Sequence, residues 1–325
     1  MSDYDKRITR SELSDALNRP EHIDEVFQAT VTNSAVMQVA RRLPNMGRAT
    51  AKMSVLDALP TAYFVNGEAG LKKTTQQAWK GKTLAAEELA AIVPIPENLL
   101  ADADVSLAHI GGRVGEAMGH VIDNSVLHGP NLPSTWLTDT GGTSRSILAG
   151  AAAASNTVTH EADSTDIYDN LLGTDGVFSL VEQDGYEVNG VLAAKRARGI
   201  LRGLRADSGD GLPVFQRTGA GFMLDGAPVI FPNNAAVNPS AALMFAGDWQ
   251  QIVYALRQDI TFRLITEGVI TDESGDVIYN LPQQDMVALR VVMRIGFQIA
   301  NPVTLEEATE ADRYPFAVLL PAGVT

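Results

Sequence analysis

Few residues in this chain stand where side-chain chemistry would be expected. Glu116 and His120 lie four apart in a segment of helical periodicity, a spacing that can put two metal ligands on one helix face. Asp123 or Asn124 would be the third ligand of such a site. A solvated or subunit-facing polar stripe accounts for the same residues without a metal. Lys72, Lys73, Lys80 and Lys82 share one polar segment with Trp79, where they offer cations to an acidic surface. The run Gly219–Gly226 has the glycines of a phosphate loop, but it lacks the GK[ST] ending and leads into a strand pattern. There is no G-x-S-x-G turn for a serine nucleophile. His22, His128 and His160 are isolated in sequence, and the carboxylates are too dispersed to nominate an acid–base pair. No cysteine is present, so disulfides, thiolate metal sites and a thiol nucleophile are excluded.

Composition narrows the field further. The 325 residues can hold one large domain or two, and a hydrophobic content of 45% supplies a sizeable core. No window approaches 18 consecutive apolar residues, so no membrane span is expected. The opening MSDYDKRITRSEL is mixed in charge and lacks the apolar stretch of a secretory signal. A net charge of −14 argues against affinity for nucleic acid through phosphate contacts. It suits a container wall that must not stick to its nucleic acid. The one short basic cluster, Lys195, Arg196, Arg198, Arg202 and Arg205, has the spacing of an outward helix face.

The elements that would position these residues follow from periodicity. Residues 1–20 read as an extended arm ending at Asn18-Arg19-Pro20. An imperfect apolar stripe from Val26 to Ala40 predicts a helix stopped at Pro44. A short strand at Tyr63–Val65 then opens on a polar excursion, Asn66 to Glu88, before a second apolar run at Ala91–Ile95. Connections inside compact domains are usually much shorter, so this segment is either mobile or built to lie on another molecule. One long amphipathic helix is predicted from about Asp102 to His128. Leu107, Ile110, Val114, Ala117, Met118 and Val121 form its apolar face, and His109, Arg113, Glu116, His120 and Asp123 the opposite one. Asp102 or Asp104 would cap its start, and Gly129-Pro130 would end it. Gly111 and Gly112 interrupt it, as a place of close packing or a bend point.

Further along, Ser164 to Val181 reads as helical, and Val191 to Arg205 as a strand leading into a helix. Asp225-Gly226 marks a tight hairpin between Phe222 and Phe231. From Met286 to Ile299 apolar residues alternate strictly, the mark of a strand with one buried face. Tyr314–Leu320 supplies a last strand.

In order and pattern, nearly the whole chain resembles a tailed-phage major capsid protein with the HK97 fold. AYFVNGEAG with the lysine- and tryptophan-bearing segment to Lys82 resembles that family's extended loop, and VSLAHIGGRVGEAMGHVIDNSVLHG its spine helix. VNGVLAAKRARGILRGLRADSGDGLPVF resembles the axial domain, and QDMVALRVVMRIGFQIANP the closing peripheral strand. The resemblance implies an α+β fold with an N-terminal arm and helix (1–45) and a strand with an extended loop in the form of a β-hairpin (46–92). It then implies a peripheral domain with the spine helix (93–131), an axial domain (132–255) and a returning peripheral segment (256–325). It also implies a structural protein without cofactor or catalytic site. Such subunits form pentamers and hexamers of an icosahedral virion shell around double-stranded DNA, assembled in the host bacterial cytoplasm.

On the same resemblance, the loop residues Lys72, Lys73, Trp79, Lys80 and Lys82 would contact a neighbouring subunit, and Gly111 and Gly112 would be the place where the spine bends. Some relatives carry a scaffolding domain ahead of the arm, so here scaffolding would be a separate protein or dispensable. Portal and decoration proteins are further possible partners. Some relatives also crosslink a loop lysine to an asparagine with a glutamate's help, but no asparagine or glutamate here can be matched to that role. Two other readings stay open: a bacterial nanocompartment shell of the same fold, and a soluble metal-dependent enzyme built on Glu116 and His120.

Overall fold

Two periodicities divide the chain between two sheets and one long helix. The computed structural model describes residues 34–65, 71–98, 107–139, 141–160, 167–203, 215–218 and 221–322, all within the unit Val31–Thr325. Helix α1 (Ala35–Val39) comes first, then strands β1 (Arg41–Arg42), β2 (Thr50–Ala58), β3 (Ala78–Ala85) and β4 (Glu87–Pro96). The long helix α2 (Leu107–His128) is followed by α3 (Ile147–Ala153), β5 (Thr157–Thr159), α4 (Ile167–Leu172) and α5 (Val177–Gln183). Next come β6 (Gly190–Ala193), α6 (Ala197–Arg202), β7 (Phe215–Thr218), β8 (Gly221–Leu224), β9 (Ala227–Ile230) and β10 (Met244–Gly247). After a 3₁₀ turn at Trp249–Gln251, β11 (Ile252–Ile265), β12 (Val269–Thr271), β13 (Val277–Asn280), β14 (Met286–Ile299) and β15 (Phe316–Leu320) complete the chain.

The strands form a four-stranded sheet ordered β1-β11-β14-β4 and a seven-stranded sheet ordered β5-β15-β10-β6-β9-β8-β7. The pairs β2–β3 and β12–β13 stand as separate two-stranded ribbons. The alternating residues of β14, Val287 to Ile299, all enter one core together with Val114, Met118, Ile122 and Val126 of α2. This core extends into the seven-stranded sheet through Leu192, Phe245, Phe316 and Val318, while the neighbouring residues Val191, Ala193, Met244 and Ala317 enter a second core with α4, α5 and α6. Strands β6, β10 and β15 are therefore buried on both faces, which explains their continuous apolar runs. The Asp225-Gly226 hairpin forms as expected, with both turn residues at positive φ.

Several expectations are corrected. The expected arm over 1–20 and the first part of the helix expected over Val26–Ala40 lie outside the described residues; within them α1 spans Ala35–Val39, with Ser34 as its N-cap. Its C-terminal neighbours Arg41 and Arg42 leave it to pair with β11, well before Pro44. Tyr63–Val65 is not a strand. The hairpin strand lies earlier, in β2, and the second part of the supposed polar loop is itself strand, β3 and the start of β4. The helix expected over Ser164–Val181 is broken into α4 and α5 by a turn at Gly173–Gly176, where backbone crowds the space a Cβ would need. The closing strand β15 joins the seven-stranded sheet, and the chain passes from that sheet to the four-stranded one through the 3₁₀ turn at Trp249–Gln251. The capping roles of Asp102 and Asp104 lie outside the described residues.

The long helix ends as expected. Gly129, at φ +98°, donates to the carbonyls of Asn124 and Ser125. Its buried stripe, however, runs in strict four-residue steps from Val114 to Val126, which leaves Ala117 and Val121 on the exposed side. Asp123 is the larger correction. It does not share the solvent face with Glu116 but is fully buried. Its carboxylate accepts from Ser34 Oγ (2.6 Å), the backbone N–H groups of Ala35 (2.7 Å) and Val36 (3.1 Å), and Asn234 Nδ2 (2.7 Å). It thereby joins α1, α2 and the loop after β9.

Burial pushes the Asp123 carboxyl above the usual range, against hydrogen bonds that pull it down. A carboxyl raised on folding contributes stability that is full below its unfolded pKa and is lost as pH rises through the folded value. Replacing Asp123 by Ala is expected to cost about 3 kcal/mol in urea unfolding at neutral pH, because buried donors lose their acceptor. Asp123→Asn should cost less. The wild type should gain on that non-titrating variant as pH falls below neutral. Parallel pH profiles would contradict a raised carboxyl.

Candidate assembly surface

The β2–β3 ribbon pairs with neither large sheet. Its strands pair from Thr50↔Ala85 at the base to Ala58↔Ala78. At the base, Leu84 and Ala86 pack with Met46 and Ala255 in a small core of their own. Gly296 of β14 lets the ribbon lie close, since a Cβ there would stand 2.5 Å from the Ala85 carbonyl oxygen. Beyond the paired strands the chain stays organised. Thr61 N–H donates to Thr75 Oγ1 (2.7 Å), Tyr63 Oη donates to the Lys73 carbonyl (2.7 Å), and the Lys73 ammonium lies 5.9 Å from the Tyr63 ring centre.

Charge and apolar surface are distributed unevenly along this ribbon. Lys80 and Lys82 each reach one carboxylate oxygen of Glu310 at 3.2 Å, and Lys80 also lies 4.0 Å from Asp57. Lys82 is buried, and burial lowers its pKa while the Glu310 charge opposes that shift. The Leu56 carbonyl accepts from Val303 N–H, a second tie to the same segment. That segment is in turn held by Arg313, which is 2% exposed and donates to the carbonyls of Pro302 (3.0 Å), Ala308 (2.6 Å) and Asn301 (3.3 Å). Beyond the paired strands Phe64 (101% exposed) and Leu71 (91%) face solvent, and Trp79 (65%), the register partner of Leu56, is exposed on the paired part itself. Apolar groups so exposed on one element mark a contact surface.

The sequence-nominated residues fall into separate groups. Lys72, Lys73 and Trp79 are exposed on the ribbon, whereas Lys80 and Lys82 are engaged with Glu310 along its paired strands. A ribbon boundary at Lys82 would therefore cut into the grip. Gly111 is buried against the Phe262 ring, where a Cβ would come within 3.0 Å, while Gly112 faces open space. Gly111 thus has a packing reason of its own. Glu116 pairs with Arg113, and Asp123 is consumed by α1, so the proposed ligands do not converge. Among the described residues no group of three His, Asp or Glu side chains could hold a metal. His128 is not isolated: its Nε2 accepts from Asn238 N–H (3.1 Å), and its ring meets Phe245 edge-on. The basic cluster on α6 is partly spent on Arg198, which stacks over Phe222 and Phe231. Glu310 and Arg313 escaped sequence reading because their partners lie more than two hundred residues away or are backbone carbonyls.

The chain matches the family model described as the phage capsid family over residues 16–306. It belongs to the phage capsid family. It is 25% identical over 311 residues to the major capsid protein of Staphylococcus phage 80alpha, spanning 94% of this chain and 89% of that protein. It also resembles a solved chain of Microbacterium phage Oxtober96, with TM-score 0.78, 31% identity, and coverage of 97% of this chain and 100% of the other. A chain of Mycobacterium phage Cain superposes with TM-score 0.80 at 27% identity, covering 98% and 100%. The fold is the α+β HK97-like capsid fold, and the protein is a phage major capsid protein, a structural protein and not an enzyme. These matches are to phage capsid proteins, so neither the nanocompartment nor the metal-enzyme reading gains support.

The grip on the ribbon can be tested directly. Removing the Glu310 charge by Glu310→Ala leaves Lys82 buried without its carboxylate and should cost about 3 kcal/mol in chemical unfolding. Adding Lys82→Met to that variant should recover most of the loss. A single variant as stable as the wild type would mean that the ribbon is held by its apolar contacts alone.

Proposed function

We propose that this capsid protein assembles through its β2–β3 ribbon, whose exposed tip lies on a neighbouring copy in pentamers and hexamers of an icosahedral head shell. The observation that carries this is a ribbon whose paired strands are tied to its own subunit while Phe64, Leu71 and Trp79 stay exposed among the described residues. Lys72 and Lys73, beyond the paired strands, supply cations for the acidic surface of a chain with net charge −14. The shell encloses double-stranded DNA without sequence-specific contacts, as the acidic balance favours. Portal, decoration and separate scaffolding proteins are its partners, and assembly takes place in the host bacterial cytoplasm before the subunit resides in the virion.

In this proposal Gly111 and Gly112 let the long helix bend as the shell changes state, with Gly112 the freer of the two. Alanine at Gly112 meets no neighbour and should stiffen the helix by about 1 kcal/mol. Gly112→Ala should therefore fold at least as stably as the wild type yet slow interconversion of compact and expanded shells, followed by electron microscopy over time. Unchanged interconversion would remove the bend from Gly112.

Electron microscopy of the expressed protein should show closed shells or capsomer rings. Replacing residues 61–76 by Asn-Gly, which retains the Lys80–Lys82–Glu310 grip, should leave circular dichroism and thermal unfolding near wild type while abolishing closed shells. Shells of normal size from that variant would take the principal contact away from the ribbon.

A further inference from the structure

The outer face of the four-stranded sheet carries a charge imbalance that the subunit itself does not resolve. Residues of β14 alternate between the core and this face, which places Arg290 and Arg294 together on the outside. Arg263 of β11 pairs directly with Arg290 in the register and so points the same way. Opposite residues of an antiparallel pair have side chains about 5 Å apart, and like charges there repel. Among the described residues the carboxylate that pairs with them is Glu88 of β4, at 3.8 Å from Arg290 and 3.9 Å from Arg294. Arg263 has no ion pair among the described residues, and Arg294 Nε is buried without a hydrogen-bond acceptor. Ile92, the register partner of Arg290, adds an exposed apolar group to the same face.

The segment that joins these two strands, just past the Arg263–Arg290 pair, carries the opposite imbalance. Between Thr266 and Asp285 there is no Lys or Arg, while Glu267, Asp272, Glu273, Asp276 and Asp285 are all acidic. This segment forms the β12–β13 ribbon, which pairs with neither large sheet. A two-stranded ribbon is marginal on its own in water. Here it also exposes Val269, Val277 and Ile278. None of its carboxylates forms an ion pair within the subunit among the described residues, so the arginines are not answered from their own chain.

We propose that the β12–β13 ribbon of one copy docks on the Arg263–Arg290–Arg294 face of a second copy, its carboxylates on the three guanidinium groups and its apolar residues beside Ile92. The contact rests on the shell assembly proposed above and adds to it an interface separate from the β2–β3 ribbon. It is heterologous, joining two different surfaces, so it can propagate around a ring instead of closing a pair. Guanidinium groups already crowded by one another gain most from incoming carboxylates, which relieve repulsion as they bind.

A charge-reversal cycle in the full chain tests this. Arg263→Glu/Arg290→Glu and, separately, Glu267→Lys/Glu273→Lys should each slow assembly at low salt by roughly tenfold or more, read by light scattering and electron microscopy, as loss of steering and contact predicts. Asp272 is left intact because it accepts from Ser274 and Asp276 within the turn. The chain carrying all four substitutions should recover to within about threefold of wild type, since the attraction is restored with its sign exchanged. Circular dichroism confirms that each variant is folded. Folded single sets that assemble at the wild-type rate, or a fourfold variant no better than either set, would overturn the contact. If the arginine variant assembles normally but its shells lose retained duplex DNA, the face belongs to phosphate and the contact is again overturned. A wild type that stays monomeric at all concentrations would overturn both this contact and the shell, whereas indifferent variants of an assembling wild type overturn this contact alone.

Discussion

A buried carboxylate fixes where the N-terminal segment meets the body of this subunit. Helix α1 has only five residues, too few to be stable by its own hydrogen bonds. Its first N–H groups are buried, and such groups cannot be left without an acceptor. Asp123 supplies that acceptor from the middle of the long helix, and the same carboxylate takes Asn234 from the loop after β9. The negative charge also sits at a helix N-terminus, where the backbone dipoles favour it. Two segments distant in sequence are thus referred to one point on α2, whose buried residues share a core with β14. The helix that would act as a lever in the shell is also the element that positions the start of the described chain.

The β2–β3 ribbon follows the opposite principle. Its paired strands are held by groups that are costly to separate, a buried ammonium shared with Lys80 on one carboxylate. Beyond the paired strands, the described residues are joined by local bonds and carry apolar side chains in water. The direction of the ribbon is therefore set inside the subunit, while the energy that would cover its tip must come from elsewhere. A lid over an active site would need a hinge at its base, but here the paired strands starting at the base are the most firmly tied part. Arg313 explains why the tie can bear load. Segment 301–313 has no regular structure, and the guanidinium replaces the missing ladder by binding its carbonyls.

What could be read from the sequence was what periodicity encodes. The alternation of β14 and the length of α2 were legible because burial on one face imposes a period on each. The Asp225-Gly226 turn was legible because few residues tolerate positive φ. The resemblance of ordered segments carried the family. Asp123 was misassigned because its position on the helical wheel borders the polar face, and only the arrival of α1 turns that border into core. The split of α4 from α5 was hidden because apolar spacing continues across a turn imposed by backbone crowding. The placement of β15 was illegible for another reason: a five-residue apolar strand carries no mark of which sheet will receive it. Glu310 and Arg313 depend on contacts of high sequence separation or on backbone acceptors, and neither leaves a local signature.

Charge gives the fold its last constraint. Copies of net charge −14 repel at a distance, but at physiological salt that repulsion is screened beyond about 8 Å. Contacts between copies must then be made at short range and be locally complementary, whatever the overall sign. In the contacts proposed above the chain would meet this with cations set apart from its acidic bulk: Lys72 and Lys73 on one ribbon, Arg263, Arg290 and Arg294 on one sheet face. Surface ion pairs of this kind are individually weak. Weak, numerous and geometrically exclusive contacts let a misplaced subunit leave before its neighbours trap it. A shell joined by a single strong patch would instead fix its first errors, so the dispersal of charge over separate ribbons and faces is what reversible closure requires.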